Sequence, residues 1–357
     1  LATLLKFDDV IKKCTSLKVH LVLGNGFSIA KFPNIFTYDA LFSRADFTGH
    51  DRLKRVFGKL KSHDFEAVMR HLLMLVQSGE EYGVPANALD EIKKDIEALK
   101  QVLVQTICNN HPDSPNDIDD TSYTKCFAFL RTFLARNNCH IYTLNYDLLL
   151  YWTIARIGLA TPADAKIIND GFSNPIGAAN AEYVSWQGEG QSFFSNIKYP
   201  HGALHIFDAG DDIQKITFSR TNERLIDQTR RALDKALFPL FVSEGTSREK
   251  IEKIKHNAYL YTCYQQFCGD VKGLVKDRNG EPDTALVVYG HSLNSVDDHF
   301  WSKLMRGKIR DVYVSVYGEL ESESGLGIQQ NVKRLMQAYP GSSVTFHYFD
   351  TATVDLW

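Results

Sequence analysis

Six short runs of aliphatic, aromatic and β-branched residues are strung along the chain: Val19–Leu23, Cys139–Leu144, Pro239–Val242, Ala285–Tyr289, Val312–Val316 and Val344–Phe349. Several are followed by residues with helical spacing. Thr246-x-x-Glu249 after the third run and Ser295-x-x-Asp298 after the fourth are patterns that cap a following helix. Apolar strands alternating with helices predict a mostly parallel sheet covered by helices on both faces, a Rossmann-like α/β fold.

Between the first and second runs lies a block too long for an ordinary crossover. Phe65, Val68, Met69, Leu72, Leu73 and Val76 share one helix face, and Leu89, Ile92, Ile96, Leu99, Val102, Leu103 and Ile107 repeat the spacing. Asn109–Ser122 carries two Pro and four Asp and reads as an exposed loop, followed by a third helix over Tyr123–Asn137. Residues 50–138 are therefore expected to be a helical insertion within a single domain spanning 1–357. No fixed-period repeat points to a solenoid. Thr161–Asp212 reads as a long, aromatic and turn-rich connection of the kind that carries function.

Composition narrows the class. Forty basic against 43 acidic side chains leave a net charge of −3, which argues against a polybasic nucleic-acid or membrane surface. The longest apolar runs, such as Leu148–Trp152, are far short of the ~20 residues of a spanning helix. Six Cys, widely spaced, do not make a disulfide scaffold. Leu1–Val10 holds one Lys, two Asp and no cleavage site, so a cytoplasmic location is expected.

Four strand ends carry the chemistry. Leu23-Gly24-Asn25-Gly26-Phe27-Ser28 is a strand leaving through Gly-x-Gly, where the backbone turns tightly and N–H groups can face an anion. Ile29 stands where a third dinucleotide-loop glycine would be, and there is no P-loop Lys. In Thr143-Leu144-Asn145-Tyr146-Asp147, Asp147 suits the cap of a helix starting at Leu148, which leaves Asn145 as the functional candidate. His201-Gly202 offers an imidazole for acid–base work. Its neighbour His205 is four residues on, but Pro200 and Gly202 oppose the helix that a zinc pair would need. Tyr289-Gly290-His291-Ser292 and Val242-Ser243-Glu244-Gly245 are further strand ends with a hydroxyl. Converging in one parallel sheet, these ends favour a nucleotide-sized ligand without specifying a reaction.

Taken in order, Gly24-Asn25-Gly26-Phe27-Ser28, Thr143-Leu144-Asn145-Tyr146-Asp147, His201-Gly202 and Gly290-His291-Ser292 resemble the sirtuin signature. The wording is most similar to the sirtuin-like NAD-consuming proteins of bacterial antiphage defence. The resemblance covers the α/β core and not the helical block. Sirtuin deacylases hold a structural zinc with two Cys pairs; here only Cys263 and Cys268 are near neighbours. The sirtuin Pro-Asp-Phe-Arg has a partial echo in Pro33-Asn34-Ile35-Phe36, with neither the Asp nor the Arg.

The resemblance implies an NAD+ glycohydrolase that releases nicotinamide and ADP-ribose, with NAD as substrate and no metal. It places Gly24, Asn25, Gly26, Phe27 and Ser28 at the pyrophosphate and nicotinamide ribose, Asn145 by the attacking water, and Asp147 in support. It makes His201 the base and puts Gly290, Ser292 and Ser243 around the adenosine half. Control by homo-oligomer assembly or a partner protein, such as a defence-system ATPase, is the accompanying expectation. The alternative is a non-catalytic NAD or ADP-ribose sensor; a protein deacylase is disfavoured by the missing Cys quartet.

Overall fold

A computed structural model of the chain describes residues 4–136, 138–160, 162–173, 181–192, 194–218, 224, 227–228, 231–232, 237–242, 245–273 and 283–357. Eleven strands are seen among them. β1 (Lys18–Leu23), β2 (Ile141–Thr143), β5 (Ile197–Lys198), β9 (Thr284–Tyr289), β10 (Asp311–Val316) and β11 (Thr345–Asp350) form one sheet in the order β11-β10-β9-β1-β2-β5. Every pairing in it is parallel. Ranked by chain position, the six strands lie in the order 3-2-1-4-5-6 of the doubly wound Rossmann sheet, which reverses between β1 and β9.

The residues explain the sheet. β9 is buried at all six positions, and β1 and β10 at five of six, so both faces are covered and the strands read as unbroken apolar runs. Phe129 of the helix Asp120–Leu134 packs on Tyr289, while Phe267 of the helix Ala258–Val271 packs on Tyr142. Register pairs Leu23 with Tyr289 and Val22 with Tyr142, and adjacent strand residues point to opposite faces. The two helices therefore cover opposite sides.

The other five strands make an antiparallel sheet: β3 (Phe172–Ser173), β4 (Tyr183–Trp186), β7 (Ile213–Ile216), β6 (Gly202–Asp208) and β8 (Phe238–Phe241), in that order. This corrects one expectation: the Pro239–Val242 run belongs to the antiparallel sheet, not the parallel one. Where described, the stretch 161–212 holds short strands, short helices and turns, with β3, β4 and β6 in the antiparallel sheet and β5 in the parallel one. The regular structure described between β1 and β2 is helical throughout, from Gly26–Ile29 to Asp120–Leu134, so the helical block begins well before residue 50. Thr246 caps the helix Ser247–His256 by accepting from Glu249 N at 3.2 Å. Ahead of the helix Asp298–Met305, the capping hydroxyl expected of Ser295 is replaced by the Asn294 amide, which accepts from Val296 N. No helix is long and apolar enough to cross a membrane, among the described residues.

Candidate functional site

The carboxyl ends of β1 and β9 meet at the reversal of strand order, where open α/β sheets bind ligands. They are pressed together. Gly26 N donates to Gly290 O at 2.8 Å, and Gly24 N to Tyr289 O at 2.9 Å. A Cβ on Gly24 would lie 2.6 Å from Gly290 O, and one on Gly26 would lie 2.6 Å from Gly290 Cα. Gly290 has φ +69°, where an L side chain is strained, and its Cβ would strike Phe27 N at 2.6 Å. The glycines thus close a seam between two loops. The N–H groups expected to face an anion are engaged: Phe27 N donates to Gly24 O and Ser28 N to Asn25 O, both at 3.0 Å. The loop contributes shape to the site more than donors.

Behind this seam the β2 end is tied in. Asn145 Nδ2 donates to Gly24 O at 3.0 Å and to Ser28 Oγ at 3.2 Å. Ser28 Oγ donates to Asp147 Oδ2 at 2.5 Å, and Asp147 Oδ1 accepts from Leu149 N at 2.9 Å, capping the helix Leu149–Ala160. Burial pushes the Asp147 carboxyl up, against the opposing bonds from Ser28 and Leu149. With both amide hydrogens of Asn145 engaged, its Oδ1 is the atom left to accept from a ligand, since no bond to it is formed by the described residues.

A second polar group faces the same space. His201 occupies the turn before β6, where Gly202 has φ +71° and a Cβ would lie 1.9 Å from Leu240 O. His201 Nε2 lies 3.2 Å from His299 Nε2, and His299 Nδ1 lies 3.1 Å from Ser247 Oγ. Asp297 sits alongside. It accepts from Lys250 Nζ and from His291 Nε2, each at 3.0 Å, and its Oδ1 is 3.7 Å from His201 Nε2. Leu293 N donates to His291 Nδ1, so His291 carries its proton on Nε2.

The electrostatics follow from burial. Desolvation drives His201 well below the usual histidine range, with Asp297 pulling back and Lys250, His299 and His291 adding to the fall. Burial likewise takes His299 down to about 3. Both imidazoles are neutral at pH 7. Burial pushes Asp297 up, but Lys250, His291 and His201 together outweigh it and hold the carboxylate well below its ordinary value. His201, Asp297 and His299 present ligand atoms within 4.8 Å of one another. The Lys250 ammonium already holds the place beside Asp297 that a metal cation would take.

One cavity of about 1210 Å³ joins these groups. Gly24, Asn25, Gly26, Asn145, Asp147, His201, Gly290 and Ser292 all line it. Phe27 and Ser28 turn inward instead: both are fully buried, Phe27 packing on the Trp357 ring and Ser28 bonded as above. Ser243 lies outside the described residues. His205 points away into the core and stacks on Tyr151 at 4.3 Å. Sequence reasoning missed Lys250, His291, Asp297 and His299. Lys250 had one signal, its place one helical turn before buried Ile254. His291 lies inside the strand end Tyr289-Gly290-His291-Ser292. At and past the ends of β10 and β11 the wall carries Tyr317, Glu319 and Asp350.

The chain belongs to the family described as "Domain of unknown function (DUF4917)", which it matches over residues 21–357. No curated protein matches it.

Proposed function

We propose that this site is an NAD+ glycohydrolase centre. The observation that carries the reading is that Asn145 and His201, from separate elements, line one cavity at the reversal of strand order. Each keeps an acceptor atom unbonded by the described residues. Cleavage of the nicotinamide–ribose bond passes through an oxocarbenium-like state, as glycoside cleavage does. The bond's electron pair leaves with nicotinamide and neutralises the pyridinium charge, so a strong nucleophile is not needed. Asn145 Oδ1 accepts one hydrogen of the attacking water and fixes its position. The neutral His201 imidazole takes the water's proton as its oxygen bonds the ribose C1′. Asp297, 3.7 Å from His201 Nε2, favours the imidazolium formed in that step.

The purified chain is incubated with NAD+ over a range of protein concentrations, because assembly is expected to control activity. Nicotinamide release is followed. His201→Ala and Asn145→Ala, with folding verified by circular dichroism, are each expected to lower kcat by about 10²-fold or more. Binding of NAD+ without release at every concentration would overturn the proposal in favour of a sensor. Consumption of an acyl-lysine peptide would overturn it in favour of a deacylase.

A further inference from the structure

We propose that His299 and Ser247 form a proton relay behind His201, carrying away the proton that His201 receives. This rests on the glycohydrolase reading for what the relay moves, but its geometry stands apart from that reading. His201 reaches the cavity, and no described residue bonds its Nδ1. Its Nε2 meets His299 Nε2 at 3.2 Å, and the far nitrogen of His299 meets Ser247 Oγ at 3.1 Å. Three groups from three elements are thus in line: the turn before β6, the helix Asp298–Met305 and the first residue of the helix Ser247–His256. His201 and His299 are fully buried or nearly so, whereas Ser247 is half-buried and reaches solvent.

Two neutral imidazoles joined through their Nε2 atoms share one hydrogen between them, so their tautomers are locked to each other. When His201 holds Nε2–H, its Nδ1 lone pair is open to the cavity. His299 then accepts at Nε2 and donates Nδ1–H to Ser247 Oγ. This is the state competent to act as a base. As water attacks, its proton goes to His201 Nδ1, and His201 Nε2–H passes to His299 Nε2. His299 Nδ1–H passes to Ser247 Oγ, and the serine's own hydrogen goes to solvent. The result is one nicotinamide, one ADP-ribose and one proton per NAD+ and water. It leaves both rings in the opposite tautomers, which reset when Ser247 and the ligand-free cavity exchange with water. Asp297, Lys250 and His291 surround the pair; the first stabilises an imidazolium passing through, and the second keeps it from settling there. His299 and Ser247 are positioning residues, since only His201 meets the ligand.

The test reads tautomers directly. Protein labelled with ¹⁵N in histidine gives two-bond ring correlations that report which nitrogen of each imidazole bears hydrogen, without any turnover. The expectation for the ligand-free protein is Nε2–H on His201 and Nδ1–H on His299, with signals assigned by His201→Gln and His299→Gln. Ser247→Ala removes the terminal acceptor and is expected to shift the tautomer populations of both rings. In the enzyme assay, His299→Gln and Ser247→Ala are expected to lower kcat by about 10-fold or more with KM within about threefold. The rate's dependence on D₂O fraction should change from multi-proton to single-proton form. A His201 tautomer unchanged in Ser247→Ala overturns the relay. So does one equivalent of zinc bound through both Nε2 atoms when zinc is titrated into the protein. Absence of nicotinamide release from the unsubstituted protein overturns the glycohydrolase and not the coupling, which the spectra decide alone.

Discussion

Two buried clusters in this molecule are made from the same parts and are connected differently. Each brings two histidines and one aspartate within 4.8 Å: His20, His140 and Asp270 in one, His201, Asp297 and His299 in the other. In the first, His140 Nδ1 donates to Asp270 Oδ2 at 2.7 Å, Tyr142 OH donates to the same oxygen, and Gln266 Nε2 reaches the other at 3.2 Å. His20 Nδ1 accepts from His140 N, and the two rings stack. The bonds fasten β2 and its approach to the helix Ala258–Val271, and none of the three residues lines the cavity. In the second cluster the carboxylate meets an ammonium, and His201 keeps one nitrogen toward the cavity. Access to the cavity and one added cation separate the first cluster from the candidate site.

The ammonium gives the largest predicted effect. Lys250 is only 1% exposed, and Asp297 is its bonded partner. Lys250→Met leaves the buried Asp297 carboxylate with only the His291 and His201 imidazoles beside it, which should cost ~3–5 kcal/mol in urea unfolding at pH 7. Replacing the pair together, Lys250→Met with Asp297→Leu, should recover most of that loss while abolishing turnover. A loss below about 1 kcal/mol for the single variant would mean that the ion pair does not distinguish the two clusters.

Acid sharpens the contrast from the other side. Burial depresses His20 to about 4, with Asp270 opposing, His140 and Lys18 adding to the fall, and Asp283 pulling back. A depressed histidine stays neutral in the folded state while its unfolded counterpart protonates near 6.5. Stability is therefore full above 6.5 and is lost as pH falls from there to about 4, by on the order of 3 kcal/mol for His20. His299 titrates lower, at about 3, so its share of the loss extends further into acid. Unfolding curves at several pH values between 7 and 3.5 check this. His20→Gln should flatten the dependence, and an unchanged slope would overturn it.

How much of this was legible depends on what each residue leaves in the sequence. The parallel sheet was readable because strands covered on both faces are unbroken apolar runs, as in Leu286-Val287-Val288-Tyr289. The antiparallel sheet was not. Its strands β3, β4 and β7 are two to four residues long, too short for alternation to emerge, and Gln214 and Lys215 break the apolar pattern of β7. Pro239–Val242 reads as a strand, but four apolar residues do not say which sheet they join. The glycine loop was legible as a ligand-facing turn, yet the reason for its glycines lay in Gly290, over two hundred residues away. His201 was found by its motif. Lys250 hid in the charged run Arg248-Glu249-Lys250, and Asp297 and His299 hid in a stretch that read only as a helix start.

The smallest predicted effect breaks the comparison most cleanly. Asp270→Asn keeps the shape of the first cluster and one acceptor, but removes the charge that receives the His140 and Tyr142 hydrogens. The loss should be ~1–3 kcal/mol of folding stability, the cost of weakening charge-assisted bonds inside a protein. Because Asp270 is absent from the cavity wall, nicotinamide release per folded molecule should stay within about twofold of the unsubstituted protein. Asp297→Asn makes the same chemical change in the other cluster, and there activity should fall along with stability. If Asp270→Asn abolished turnover in protein that unfolds cooperatively, the first cluster would be more than a fastening. Coupling between the two would then have to run through β1 and β2, which carry His20 at one end and the loops of Gly24 and Asn145 at the other.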